Sequence, residues 1–170
     1  EVRARVTGIV QQRVYEEGTD VRQEQTLFRI DPAELRASYA QTQASLDRAK
    51  ATAVNANAVV ARYRPLVAEN AISGQEFDAA QAAAREANAN VAQIEAQLRA
   101  SSLQLGYTTV RAPISGRAGR AAVTEGALVS QAEGTLMTRI EQISPIYVSF
   151  SQSATEVLQI RRAIASGQLD

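Results

Sequence analysis

The strongest constraint on this chain is a seven-residue apolar repeat that occurs twice. In the first run, Leu35, Tyr39, Thr42, Leu46, Ala49, Ala53, Ala56, Val60, Tyr63 and Val67 follow one another by alternating steps of four and three. Those are the a and d positions of a heptad, the spacing that keeps one seam of a helix facing a partner helix. In the second, Phe77, Ala80, Ala84, Ala87, Val91, Ile94, Leu98, Ser101 and Leu105 repeat the pattern. Two such helices, over about 32–68 and 74–105 and joined by a few residues, predict an antiparallel coiled-coil hairpin, a rod of roughly 57 Å. Local signals mark its ends. Asp31-Pro32 with Glu34 reads as an N-cap, a first-turn proline and a capping box; Ser73 with Glu76 reads as a second capping box. Gly106 reads as the C′ stop of the second helix. Pro65, one turn before the loop, predicts a kink or an early helix end near 61–65, because it lacks a backbone donor and clashes with the preceding turn. Alanine at the middle of both seams lets the axes approach closely but buries little area per residue, so the rod is expected to flex at mid-length.

The segments flanking the hairpin have a different period. Val2, Ala4 and Val6 alternate with Arg3 and Arg5, and glycines punctuate short runs that read as strands and tight turns. The two flanks also resemble each other. VTGIVQQRVYEEGTDV aligns with ISGRAGRAAVTEGALV, placing Gly8 on Gly116 and Gly18 on Gly126, and FRID at 28–31 falls opposite TRIE at 138–141. Neither half buries its apolar face alone. Paired, they are expected to close into one small β-sandwich from which the hairpin projects. The expected organisation is a half-motif over 1–31, the hairpin over 32–106, a second half-motif over 107–143, and over 144–170 a strand and a short amphipathic helix that open a further domain. The fold class is α+β.

Composition excludes much. No histidine and no cysteine are present, which removes the commonest general base, the commonest metal ligand and any thiolate site. The serines therefore have no partner for nucleophilic catalysis. Gly116–Arg120 is glycine-rich but lacks the lysine and hydroxyl of a phosphate loop, and reads as a turn with exposed arginines. Glu16 and Glu17 have no metal-site spacing and read as a solvated turn. Eighteen basic residues balance eighteen acidic ones, so nucleic acid is not an expected partner. No apolar run approaches the roughly 20 residues that span a bilayer. No cofactor is expected.

Two half-motifs with matched glycine spacing look like a lipoyl/biotinyl fold split in two, with a heptad hairpin inserted at its midpoint. Together with EVRARVTGIV, EEGTDV, LFRIDPA, APISGRAGRAAVTEGALV and ISPIYVSFSQS, this arrangement resembles the periplasmic adaptors, or membrane fusion proteins, of tripartite RND multidrug efflux pumps, of the AcrA/MexA type. The resemblance runs the length of the chain in the expected order. It implies a non-enzymatic adaptor in the periplasm, associated with the inner membrane of a Gram-negative bacterium. Its partners would be an inner-membrane RND drug/proton antiporter, a TolC-like outer-membrane efflux channel, and further copies of itself in a ring, hexameric by family analogy. The third domain would be the start of a β-barrel. An adaptor of an ABC-type or type I secretion exporter is the alternative. A lipoyl or biotinyl carrier is a remote one, because the carrier lysine belongs on the turn that the hairpin occupies and the one lysine, Lys50, lies inside the first helix.

In that family the hairpin tip docks on the channel through the pattern R-x3-L-x6-S, which Arg62, Leu66 and Ser73 match. The heptad places Arg62 at c and Leu66 at g, one turn apart on a face beside the seam. The plainer reading of the same residues is a solvated arginine, a leucine folded over the end of the seam and a serine that caps a helix. The two readings are compatible for Ser73.

Overall fold

A computed structural model of the chain describes residues 1–143 and, beyond them, 157, 158, 161, 162, 164 and 166. The strand expected over 146–153 lies outside the described residues. Val157, Leu158, Arg161, Arg162 and Ile164 are helical and exposed. In chain order the elements are β1 (Val2–Arg3), β2 (Gly8–Arg13), β3 (Asp20–Val21), β4 (Thr26–Ile30), α1 (Ala33–Ala68), α2 (Gly74–Gly106), β5 (Thr109–Arg111), β6 (Gly116–Ala118), β7 (Leu128–Val129), β8 (Leu136–Thr138) and β9 (Ile140–Glu141).

The strands before and after the hairpin interleave. A four-stranded sheet has the order β5-β4-β2-β7, a three-stranded one β3-β6-β9, and β1 pairs with β8. Every pairing is antiparallel. Each sheet thus takes strands from both halves, as expected if neither half can bury its apolar face unaided. The core is shared in the same way: Val10, Leu27, Phe28 and Ile30 pack with Ala118, Val129 and Met137, all essentially excluded from solvent. Tyr15 meets Phe28 edge-on at 5.4 Å between ring centroids, and its hydroxyl donates to Thr138 Oγ1 at 2.9 Å. Burial pushes the Tyr15 phenol above its ordinary value of 10.0, so it remains a donor at neutral pH.

The internal repeat is visible in the hydrogen bonds. Gly8 pairs with Val129 and, equivalently, Gly116 with Val21. The Gly18 N–H donates to the Ala118 carbonyl and the Gly126 N–H to the Val10 carbonyl, both at 2.8 Å. Gly18 and Gly126 have φ of +77° and +85°, a region open to glycine at little cost. The two halves are therefore related by a pseudo-twofold, and the glycine spacing in the sequence reflects it.

The hairpin carries the expected seam. All nineteen a and d positions named above are at least partly buried, and Leu46, Ala49, Ala53 and Ala84 are fully so. One flank of the seam is polar. Lys50 Nζ lies 3.4 Å from Glu95 Oε1. Seven residues farther along α1, Asn57 and Asn88 exchange side-chain amide hydrogen bonds of 3.2 Å. Each of these asparagines also donates to the carbonyl four residues before it, Ala53 or Ala84, at 2.8 Å. All four residues are heptad e positions, and the two pairs are symmetric about the loop.

Three end signals differ from expectation. At the start of α1, Pro32 occupies the N-cap position and no capping box forms. The Asp31 carboxylate accepts from the Ala33 N–H at 3.0 Å, but the Asp31 N–H donates to the Ile9 carbonyl at 2.8 Å, leaving nothing for Glu34 to accept. The helix instead runs directly out of a sheet contact. Gly106 is the last helical residue rather than the C′ residue; Tyr107 caps α2 with ordinary right-handed geometry. Finally, α1 continues through Pro65 to Ala68, so the proline does not end the helix early. Only one turn follows it, and that turn is fixed from the loop side.

Candidate functional site

The apex of the hairpin is built from two opposed caps. At the end of α1, Asn70 adopts φ +56°. Its N–H donates to the Val67 carbonyl at 3.1 Å, and the Ala71 N–H donates to the Leu66 carbonyl at 2.8 Å. This is a Schellman closure with asparagine in the left-handed position normally held by glycine. At the start of α2, Ser73 is extended (φ −73°, ψ 150°) and forms the capping box expected of it. Its Oγ accepts from the Glu76 N–H at 3.2 Å and donates to Glu76 Oε2 at 2.9 Å, and that oxygen also accepts from the Ser73 N–H at 2.9 Å. Only Ile72 of the residues between Asn70 and Ser73 is partly buried. A loop with so few free backbone groups presents its side chains in a fixed geometry.

Of the three sequence-picked residues, Arg62 and Leu66 share one face of the last turns of α1, and both are exposed; Leu66 shows 37% of its surface. Arg62 forms no ion pair among the described residues. The seam ends with Tyr63 and Val67, both partly buried, on the neighbouring face. Ser73 lies across the loop with its hydroxyl engaged by Glu76, so its local job is to hold the apex. Asn70 carries the other half of that job, and only its place in a loop, where asparagine tolerates positive φ, hinted at it.

The Glu76 carboxyl is held below its ordinary value of 4.5, chiefly by the Ser73 backbone N–H and then by its hydroxyl. A carboxyl lowered on folding stabilises the fold above its ordinary value, and that contribution is lost as pH falls through the lowered one. The Ser73 amide resonance is therefore expected to titrate below pH 4.5 and to lose exchange protection there. A midpoint at or above 4.5 would mean that the cap does not form in solution.

Around the base of the hairpin, two clefts flank the sandwich. One, of about 490 Å3, lies between β1, β5 and the end of α2; the other, of about 610 Å3, lies between β2, β7 and the start of α1. Among the described residues no group of three or more carboxylates is placed to hold a metal ion, and no helix is long and apolar enough to cross a membrane.

Comparison with known proteins places this geometry. Residues 1–141 match the family model described as RND MFP, barrel-sandwich hybrid domain. The chain is 42% identical over 169 residues to the multidrug export protein AcrE of Escherichia coli (strain K12), covering 99% of this chain and 44% of that protein. It is 43% identical over 170 residues to the multidrug resistance protein MexA of Pseudomonas aeruginosa, covering 100% of this chain and 41% of that one. The chain thus spans less than half the length of these curated relatives. Among solved structures, a MacA–MexA chimera containing the Pseudomonas aeruginosa MexA α-hairpin superposes with a TM-score of 0.54 at 30% identity, over 85% of this chain and 48% of the other.

Proposed function

The chain belongs to the RND membrane fusion protein family, and from that premise we propose that it is the hairpin-and-sandwich part of a non-enzymatic periplasmic adaptor in a multidrug efflux pump. The adaptor links an inner-membrane RND drug/proton antiporter to a TolC-like outer-membrane channel, and several copies, six by family analogy, surround the conduit. The transporter supplies energy and selects the drugs; the adaptor bridges and seals. The observation that carries this reading is the apex, where Arg62 and Leu66 stand on one exposed face, Arg62 without an ion pair among the described residues, on a hairpin end locked by caps on both sides. An apolar side chain and a cation displayed in that way suit the groove at a helical channel end, with Arg62 reaching carboxylates or carbonyl oxygens there. The match of the RND model to residues 1–141 favours an RND pump over an ABC-type or type I exporter.

A photocrosslinker placed at 66 in the full-length protein tests it. The expected product is a covalent adduct with an outer-membrane channel, absent when the crosslinker is moved to Val54, which is exposed on the shaft. Adducts from 54 but none from 66 would overturn the tip reading.

A further inference from the structure

Among the described residues two that are not glycine adopt positive φ, and one of them, Asn70, stands at the apex. Such a backbone is unfavourable for a residue with a Cβ and persists only where the surroundings hold it. Five residues before it lies Pro65, the only proline inside either helix of the hairpin. Proline has no N–H, so the Ala61 carbonyl loses the donor that a helix would supply from position 65, and the ring crowds that carbonyl as well. The turn beyond it, which carries Leu66, is therefore joined to the shaft with one rung missing.

No basic residue lies in that last turn to cap its carbonyls; the loop satisfies them instead. The Glu69 N–H donates to the Pro65 carbonyl at 3.1 Å, the Ala71 N–H to the Leu66 carbonyl at 2.8 Å and the Asn70 N–H to the Val67 carbonyl at 3.1 Å. Three consecutive carbonyls of the turn thus accept from three consecutive amides of the loop. The last two of these bonds depend on the left-handed backbone of Asn70, which turns the chain back over the helix end.

We infer that Asn70 is the positioning residue of the docking tip: it fixes the turn that displays Leu66, in place of the hydrogen bond that Pro65 omits. This role rests on the docking reading above and names what aims it. The carbonyl of Leu66 itself accepts one of the closing bonds, so the direction of its side chain is set from the loop as well as from the shaft. An exposed helix end opens at little free-energy cost. Without the closure Leu66 would sample several directions, and only the competent fraction would dock. Asparagine suits the position. Its short polar side chain tolerates the left-handed region, a β-branched one does not, and glycine tolerates it but leaves the loop freer. The Asn70 side chain is exposed and makes no hydrogen bond among the described residues, so its contribution runs through backbone geometry.

The test uses the full-length protein in cells, with an apolar photocrosslinker at 66 and residue 70 varied. Asn70→Val is expected to lower the yield of channel adducts by up to about fivefold, the penalty of a left-handed β-branched residue read as a ratio. Asn70→Gly keeps the yield within about twofold of the parent. Beside Pro65→Ala, which restores the missing rung, Asn70→Val costs less, a coupling that a double-mutant cycle reads. Hydrogen exchange follows the closure itself: the Ala71 amide exchanges up to about fivefold faster in Asn70→Val than in the parent or in Asn70→Gly. Thermal melting is expected to match the parent in both Asn70 variants, because the seam is untouched. Equal adduct yields and equal Ala71 exchange in the parent and Asn70→Val would overturn the positioning role and leave the docking reading standing. Equal losses of adduct in Asn70→Val and Asn70→Gly would overturn it in favour of a direct contact by the carboxamide. An Asn70→Val loss that is the same with proline or alanine at 65 would overturn the coupling to Pro65. No channel adduct from 66 in the parent would overturn the docking reading and this role with it.

Discussion

Arg62→Asp or Leu66→Asp leaves the chain folded and abolishes drug resistance when the full-length protein is expressed in a strain lacking its own adaptor. Both side chains are exposed at the apex, and neither belongs to the seam, so the hairpin has little reason to notice the change. Circular dichroism and thermal melting are expected to match the parent. Docking would be affected heavily. A hot spot at a small contact is worth about 2 kcal/mol or more, and in a ring the same loss recurs in every copy, compounding through avidity. Aspartate replaces a cation with an anion at 62 and an apolar contact with a charge at 66. Lys50→Arg is the control: its ion pair with Glu95 is exposed and of the kind arginine can replace. Resistance retained in both aspartate variants would remove the docking role from these residues.

Gly116→Ala has the second large effect, and it falls on the fold. A Cβ at 116 would lie within van der Waals overlap of the Glu141 carbonyl oxygen and 2.9 Å from its carbon. Those atoms are backbone of β9, paired with β6, and cannot move aside as a side-chain end would. Overpacking of this kind costs about 1–3 kcal/mol, and a backbone clash places Gly116→Ala at the upper end, a drop in Tm of roughly 5–10 °C for a chain of this size. Gly119→Ala, whose Cβ would be 3.4 Å from the Arg139 carbonyl oxygen, is expected to stay close to the parent. A Gly116→Ala melt indistinguishable from that of Gly119→Ala would mean that β6 and β9 do not pair as described.

The same glycine explains why so much of the fold was legible beforehand. Gly8 and Gly116 recur because a Cβ at either would collide with the last strand of its own half, at Ile30 or at Glu141, and Gly18 and Gly126 because each turn needs positive φ. Such needs leave a mark on residue type at fixed spacing. The seam was legible for a related reason: helical packing repeats, and repetition can be counted. The features that escaped were settled by distant parts of the chain. Asp31 and Glu34 have the local pattern of a capping box, but the Asp31 N–H is claimed by Ile9, far away in sequence. Pro65 carries a local stop signal that the Asn70 closure overrides. The stacking of Arg5 on Tyr107 joins residues 102 positions apart, and no periodicity announces it. At the candidate site, the match of Arg62, Leu66 and Ser73 to a motif was readable, whereas the division of labour among them, two displayed and one occupied in holding the apex, came from geometry.

The alanine seam has a consequence for how the two helices of the arm are kept in register. Alanine is frequent in both seams, at Ala49, Ala53 and Ala56 in α1 and at Ala80, Ala84 and Ala87 in α2, and such small side chains specify the alignment of two helices less strongly than large ones. The amide pair Asn57–Asn88 and the charge pair Lys50–Glu95 favour the observed alignment, since a slip of one heptad breaks both and leaves only a mismatched contact, Asn57 against Glu95 or Lys50 against Asn88. They act as register marks on a shaft whose seam is otherwise sparsely marked, and losing both would leave the alignment of the two helices to the apex and to the larger seam residues at either end.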